Sequence, residues 1–307
     1  MARARDRPFL LLDRRTLLVI TLRYHVISLA AVLLALAAGI ALGAGLLDES
    51  DAVTTASDSN RAEVSPALAG FDAGYATLTS PGLLRDKLKG RTVLLLTTPG
   101  ARDNEVDSLI ENLTTSGAQV TGQVELTAKL LSPSNRQFAE GVATQSDPQA
   151  ATASSAYDKI GTAIARGYLA AKGDGALDET SRTIRSAFVE GGLLDPDQDP
   201  DRSAQLALVV SGPSGASAGG EGTVVSSLVT SLDAGSQGVA VVGPVSSGEN
   251  GVVNAVRGSD AAANVSTVDV TDTGTGRVSA ILALVREAAG QSGAWGTSRA
   301  ADGPVPN

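Results

Sequence analysis

Apolar residues are distributed along the chain in two patterns, one long uninterrupted run near the N-terminus and many short runs further on. The long run, Val26–Leu47, contains 22 residues and no charge. At a rise of about 1.5 Å per residue, a helix of this length spans roughly 30 Å, the thickness of the hydrocarbon core of a bilayer. The pattern therefore predicts one transmembrane helix over residues 26–47.

Charged residues on either side of this run predict its orientation. Residues 1–25 form a basic N-terminus, whereas Asp48 and Glu49 follow the run directly. By the positive-inside rule, the N-terminus is cytoplasmic and the remainder extracytoplasmic, which predicts a single-pass protein of the cell membrane. A cleaved signal peptide is the alternative, although its apolar core normally has about 7–15 residues. A translation start at Val19 is a further hypothesis, which N-terminal sequencing of the native protein would test.

Two sets of residues at this segment are candidates for contacts with lipid or with a second helix. Residues predicted to lie at the membrane interface are Arg23, Tyr24 and His25. Small residues recur at every fourth position and would let another helix approach closely in lipid: Ala31, Ala35, Gly39 and Gly43. Because nearly half of the segment is Ala or Gly, this recurrence also fits composition alone.

Residues 48–90 are predicted to form a linker and a short coiled segment. Apolar residues in it are spaced alternately by four and three positions, and we call them the apolar seam: Val64, Leu68, Phe71, Tyr75 and Leu78. This spacing is typical of a coiled-coil helix, and Pro66 suits a first helical turn. Two heptads are too few for a stable coiled coil alone, so a helix packed on its own domain is the alternative.

From Arg91 onward, short apolar runs alternate with segments of helical periodicity. The predicted strands are Thr92–Thr97, Gln119–Leu126, Leu206–Val210, Gly238–Val242 and Val265–Val270. The predicted helices are Asn104–Ser116, Ala156–Ala171, Leu177–Val189, Val224–Leu232, a short one near Gly251–Val256, and Arg277–Ala289. This alternation predicts the α/β class, with a doubly wound, mostly parallel sheet.

The remaining segments complete the predicted organisation of the chain. The extracytoplasmic α/β domain is expected over 91–296, with a helical insertion at 133–203 and a disordered tail at 297–307. Within it, Asp195–Arg202 is predicted to be an exposed acidic loop, and Gly212–Gly222 a flexible connection.

Charge and composition exclude several function classes. The net charge is −9 and residues 1–25 contribute +4, so the rest of the chain carries −13 and should repel nucleic-acid phosphates. The chain has no Cys, its one Met is Met1, and its one His is His25. A Ser-His-Asp triad, a disulfide and a thiolate metal site are therefore impossible in the exported domain. No P-loop is present either. We predict no enzyme and no cofactor, although a Ser-Lys dyad stays open.

One turn could bind an anion. Asp272–Gly276 opens the last predicted helix, where free backbone N–H groups attract negative charge. A helix cap supplied by Asp272 or Thr273 explains the same residues and is the interpretation we favour.

The stretch Leu22–Leu47, LRYHVISLAAVLLALAAGIALGAGLL, resembles the N-terminus of the actinobacterial MctB family of copper transport proteins, which includes the division-linked SteB. Ala69–Thr97 and Gly276–Leu284 are similar to later parts of the same family, and the resemblance covers about residues 19–296. Two features depart from it. The heptad segment is shorter here, and Gly293–Gly296 lacks the His of the family's GHYG-like ending.

The resemblance implies a role in copper transport or homeostasis across the cell envelope, with copper as the transported ion. SteB-like members instead imply a scaffold or division regulator working with a SteA-like membrane partner. Copper prefers thiolate, thioether and imidazole ligands, and the exported part has none of them. We therefore expect no metal site in this domain, and a copper role exercised through a homo-oligomer or an accessory function.

Overall fold

The computed structural model describes residues 65–171, 175–214 and 218–306, together with Val32. The chain divides into two units, Met1–Glu63 and Val64–Asn307. The predicted anchor, its interface residues and its small-residue ladder belong to the first unit, and apart from Val32 they lie outside the described residues. Val64, the first residue of the second unit, also lies outside them. In the part of the chain that is described, no helix combines the length and the apolar character needed to cross a membrane.

The second unit is built on a seven-stranded sheet in the order β3-β2-β1-β4-β5-β6-β7. The strands are β1 Thr92–Thr97, β2 Gln119–Leu126, β3 Leu194–Gln198, β4 Leu206–Val210, β5 Val239–Val242, β6 Ser266–Val268 and β7 Ala294–Trp295. Neighbouring strands are parallel except for β2 and β3, which are antiparallel. The strand order proceeds outward in both directions from the central pair β1 and β4. The predicted α/β class and mostly parallel sheet are thus confirmed.

Helices connect these strands and cover both faces of the sheet. They are α1 Pro66–Leu84, α2 Asp103–Thr115, α3 Ala128–Leu131, α4 Arg136–Ser146, α5 Ala156–Tyr168, α6 Glu179–Glu190, α7 Ala218–Ala234, α8 Val245–Asn250, α9 Val252–Arg257 and α10 Gly274–Ala288. Short 3-10 turns lie at Pro133–Asn135, Ala150–Thr152 and Asp260–Ala263.

Alternate residues of each central strand enter two separate hydrophobic cores, because successive side chains of a strand point to opposite faces. In β1, Leu94 and Leu96 join the core beneath α4 to α7 and α9. Val93 and Leu95 join the core beneath α1, α2 and α10. All four are fully buried, which explains why the central strands are continuous apolar runs.

The prediction of an exposed acidic loop at Asp195–Arg202 is wrong for its first half. Residues Leu194–Gln198 form the edge strand β3, in which Asp195 pairs with Glu125 of β2. Proline is tolerated on an edge strand, because only one side of the strand needs a complete row of hydrogen-bond donors. The predicted helical insertion at 133–203 therefore contains a strand of the sheet.

Two further segments are more ordered than the sequence predicted. The connection at 212–222 is helical from Ala218 onward, where α7 begins. Beyond Trp295, where a disordered tail was predicted, residues 296–306 fold back against β7: Gly296 N donates to Gly303 O over 3.0 Å, and Asp302 N donates to Ala294 O over 2.7 Å. These contacts could not be foreseen because they join segments with no apolar pattern.

Candidate functional site

The usual ligand position of this fold is closed by the chain itself. In an open α/β sheet, ligands bind outside the carboxyl ends of the strands, where the strand order changes direction. Here that point lies between β1 and β4. Gly212, just after β4, donates its N–H to Thr98 Oγ1 over 3.3 Å. A Cβ at Gly212 would lie 2.6 Å from the carbonyl carbon of Gly100, so the two loops are in backbone contact. This backbone contact closes the gap between the two loops.

Next to this closed point, the carboxyl ends of β1 and β2 and the edge strand β3 border a cleft of about 550 Å³. We call it the acidic cleft, and its carboxylates are Asp103, Asp107, Glu125, Asp195 and Asp197. Burial, and secondly the charge of Asp195, raise the pKa of Glu125. Over the described residues, no group of three or more His, Cys, Asp or Glu side chains is placed to hold a metal ion. The cleft is a surface of concentrated negative charge.

At the carboxyl end of β6, on the other side of the central strand pair, a buried ion pair joins the last turn of α9 to the residue that follows β6. Arg257 Nη1 contacts Asp269 Oδ2, and the side chains are only 3% and 0% exposed. Arg257 also donates from Nε to Thr267 Oγ1 over 2.8 Å and from Nη2 to the Trp295 carbonyl over 2.8 Å. The pair therefore fixes the position of β7 as well as that of α9.

The Asp269 carboxylate also binds the segment that follows β7. Its Oδ1 accepts from Thr297 N over 2.7 Å and its Oδ2 from Ser298 N over 3.2 Å. Burial alone would raise the pKa of Asp269, but these bonds and the Arg257 charge outweigh burial and hold the pKa below its ordinary value. Gly296 precedes this segment with φ +134°, and a Cβ there would lie 1.9 Å from Asp269 Oδ1. Only glycine fits this position.

The apolar seam lies on α1, which begins at Pro66 as predicted, with Ser65 as its N-cap. The described seam residues are all exposed, Leu68 by 57%, Phe71 by 69%, Tyr75 by 54% and Leu78 by 83%. Phe71 and Tyr75 stack on each other with ring centroids 6.2 Å apart. The seam itself is therefore not buried against the domain, and its pairing in a coiled coil stays a prediction. The alternative of a helix packed on its own domain is confirmed for the opposite side of α1.

The opposite side of α1 packs on the domain through small residues. The buried positions of the helix are Ala76, Ser80 and Leu84. Asp72 sets the rotation of the helix, because its carboxylate accepts from Gly274 N over 2.5 Å and from the Thr275 hydroxyl over 2.6 Å. These groups lie at the N-terminus of α10, where backbone N–H groups favour an anion. The turn that could have bound a free anion is thus occupied by the chain's own carboxylate.

The favoured cap interpretation of the same turn is confirmed for Thr273, whose Oγ1 accepts from Gly276 N over 2.9 Å. Sequence reasoning missed Asp72, Arg257 and Asp269. No local pattern marks them. Asp72 lies 202 residues from Gly274, the residue it binds, and the ion pair joins the last residue of α9 to the residue after β6. The predicted interface residues and the helix-packing ladder lie outside the described residues.

The fold and its surfaces define a class of protein: a doubly wound α/β domain whose usual ligand position is closed and whose first helix presents an unpaired apolar face. Comparison with known proteins gives the family. Residues 19–306 match the model of the family described as Copper transport outer membrane protein, MctB. The chain belongs to this family, which confirms the resemblance seen at Leu22–Leu47.

Individual relatives are similar at a moderate level over nearly the whole chain. The copper transporter MctB of Mycobacterium tuberculosis and that of Mycobacterium bovis are each 29% identical over 297 residues, which cover 87% of this chain and 92% of the relative. The copper transporter MctB of Mycobacterium leprae is 28% identical over 298 residues, with the same coverage. The likeness therefore extends across the α/β domain and is not confined to the N-terminal segment.

Proposed function

We propose that this chain is a single-pass membrane protein of the cell envelope that takes part in copper ion transport or homeostasis and is not an enzyme. The observation that carries the proposal is the family match over residues 19–306, together with relatives named as copper transporters over 92% of their length. The 22-residue apolar segment Val26–Leu47 supplies the membrane anchor, and the charges on its two sides favour an extracytoplasmic domain.

The ligand chemistry of the chain determines how such a role can be performed. Copper(I) favours sulfur and copper(II) favours imidazole, yet no Cys, Met or His follows His25 in the sequence. The acidic cleft offers carboxylates only, which discriminate poorly for copper. The chain therefore acts in copper transport as an assembled or accessory component and does not bind the ion at a site of its own. A homo-oligomer held by its transmembrane and α1 helices is the form we propose.

A second candidate function is an envelope scaffold or cell-division regulator that works with a SteA-like membrane partner. The exposed apolar seam favours it, because the side chains of Leu68, Phe71, Tyr75 and Leu78 are each more than half exposed. Exposed apolar patches on soluble domains mark interaction sites more often than isolated exposed residues do. In this alternative the seam recognises the partner, and copper sensitivity is a secondary effect of an altered envelope.

Deletion of the gene in its native host separates the two candidates. If the copper role is correct, the deletion strain should accumulate copper and grow poorly at raised copper, while its septa stay normal. The matched wild-type gene should restore both properties. Normal copper content together with misplaced or uncleaved septa would refute the copper role and support the scaffold.

Two measurements test the chemistry and the topology separately. Calorimetric titration of the full chain in detergent with copper should show no tight site, and a submicromolar site among residues 65–306 would contradict an accessory role. A reporter fused to the C-terminus, active only outside the cytoplasm, should give signal. A cytoplasmic C-terminus would overturn the proposed anchoring.

A further inference from the structure

A second groove lies among the helices on one face of the sheet. None of the residues that line it was a candidate in the sequence, and none carries the sulfur or imidazole that copper prefers. It lies between the end of α4, the length of α5 and the last turns of α7, and its volume is about 480 Å³. Ala165, Leu169 and Ala234 supply apolar wall, and hydroxyl groups of Thr162 and Ser231 line it as well. The groove is large enough for several non-hydrogen atoms of a ligand.

A buried carboxylate lines this groove. Asp147 follows α4 and is 3% exposed. Its backbone N–H donates to Ala143 O over 2.9 Å, and its Oδ1 accepts from Gln149 N over 3.0 Å. Its other oxygen, Oδ2, is buried and has no hydrogen-bond partner among the residues that the structure describes. A buried carboxylate oxygen without a donor is costly, and a ligand that supplies a donor would remove this cost.

The neighbouring cation in the groove does not supply that donor. Arg166 also lines the groove, but its guanidinium contacts the Asp178 carboxylate and donates to Ser181 Oγ over 2.9 Å. Asp158, on the first turn of α5, adds a second carboxylate, whose Oδ2 accepts from Ser155 N over 3.1 Å. The Arg166–Asp178 pair is neutral, so the remaining charge of the groove is negative.

We propose that this groove binds a primary ammonium group carried on a short aliphatic chain. The ammonium donates to Asp147 Oδ2, and the aliphatic chain lies against Ala165, Leu169 and Ala234. An ammonium supplies both the missing hydrogen bond and the opposite charge, and charge-assisted hydrogen bonds are about twice as strong as neutral ones. A metal ion fits less well, because the described residues hold no group of three potential ligands around it.

The test uses the full chain in detergent micelles and n-butylammonium chloride as the probe, with n-butanol as the neutral probe of the same length. Binding is followed by calorimetry and by the thermal unfolding midpoint. We expect butylammonium to bind and to raise the midpoint, and butanol to do neither at the same concentration. Asp147→Asn keeps the shape of the side chain but loses its charge, and it should weaken butylammonium binding about tenfold or more.

A second variant keeps Asp147 and blocks the groove. Ala234→Leu adds volume to the apolar wall and should abolish binding, whereas Ala262→Leu, at an exposed alanine outside the groove, should leave it unchanged. Equal affinity of the wild-type chain and Asp147→Asn would overturn the proposal. So would equal effects of butylammonium and butanol, or an absence of butylammonium binding, which would mean that Oδ2 is satisfied by water only.

Discussion

Removing the charge of Asp269 should strongly destabilise the domain. The side chain is fully buried and accepts hydrogen bonds from Arg257, Thr297 and Ser298. In Asp269→Asn, the buried Arg257 guanidinium loses its counter-ion, and the amide NH2 group replaces one of the two accepting oxygens. Removing one member of a buried pair costs about 3–5 kcal/mol, because the other charge remains without compensation. We expect a loss of unfolding free energy in this range.

The chain contains a convenient probe for this measurement. Trp295 is the only tryptophan, and its carbonyl accepts from Arg257 Nη2 over 2.8 Å. Urea unfolding of the full chain in detergent, followed by tryptophan fluorescence, therefore reports on the segment that the ion pair holds. Unfolding followed by far-UV circular dichroism shows whether the whole domain is affected or only β7.

An exposed ion pair is the matched control. Arg202 and Asp201 form one at 3.2 Å, with side chains 41% and 67% exposed, so Asp201→Asn should cost less than about 1 kcal/mol. The double variant Arg257→Met with Asp269→Asn should lose less than the sum of the two single losses, because no charge is left buried. A loss below about 1 kcal/mol for Asp269→Asn would refute the reasoning that this pair holds the sheet edge together.

Three further predictions concern other parts of the domain. Burial raises the pKa of Glu287 from 4.5 to about 7, so its contribution to stability is fully present below pH 4.5 and is lost as the pH rises through 7. At about 1.4 kcal/mol per pH unit, the wild-type chain should be up to about 3 kcal/mol less stable at pH 8 than at pH 4.5 for this reason. Glu287→Gln should remove this part of the pH dependence in denaturant titrations, and an unchanged profile would contradict it. Asp72→Asn should weaken the contact of α1 with the N-terminus of α10 by about 1–2 kcal/mol. Hydrogen exchange should then become faster in α1 while β1 is unaffected, and equal protection of α1 in both proteins would show that Asp72 does not hold the helix. Phe71→Ser should change the unfolding free energy by no more than about 0.5 kcal/mol, because the ring is exposed, whereas Leu84→Ala on the buried side of α1 should cost about 2–5 kcal/mol. Similar losses for both variants in thermal or urea unfolding would mean that the seam is packed after all.

Agreement between sequence and structure is best where a single physical cause acts locally. Thr92–Thr97 and Gln119–Leu126 were predicted with the bounds that the structure has. The first strand is buried on both faces and is therefore almost continuously apolar. In the second strand polar residues alternate with Val120, Gly122, Val124 and Leu126, which is the period-two pattern of a strand with one more exposed face. The start of α1 at Pro66 was predicted for a similar reason, because proline lacks the N–H that a first helical turn leaves unused.

Agreement is poorest where a segment takes its conformation from another part of the chain that it contacts. Asp195, Pro196 and Asp197 have the composition of a loop, yet they form β3 because β2 presents a free edge beside them. An edge strand pairs on one side only, so its own sequence needs neither apolar residues nor a complete set of N–H groups. The segment after Trp295 was missed for the same reason, since it is held by Asp269 and not by any pattern of its own.

The sequence by itself determined the class of fold, the positions of the central strands, and the absence of soft copper ligands after His25, because each depends only on which side chains are present and how they are spaced. It also determined the spacing of the apolar seam. Only the tertiary structure decided which way that seam faces, because the rotation of α1 depends on the contact between Asp72 and Gly274, 202 residues apart. The same holds for the closed contact between Gly100 and Gly212 and for the unpaired oxygen of Asp147. Such contacts are set by packing across the domain, where spacing along the chain carries no information.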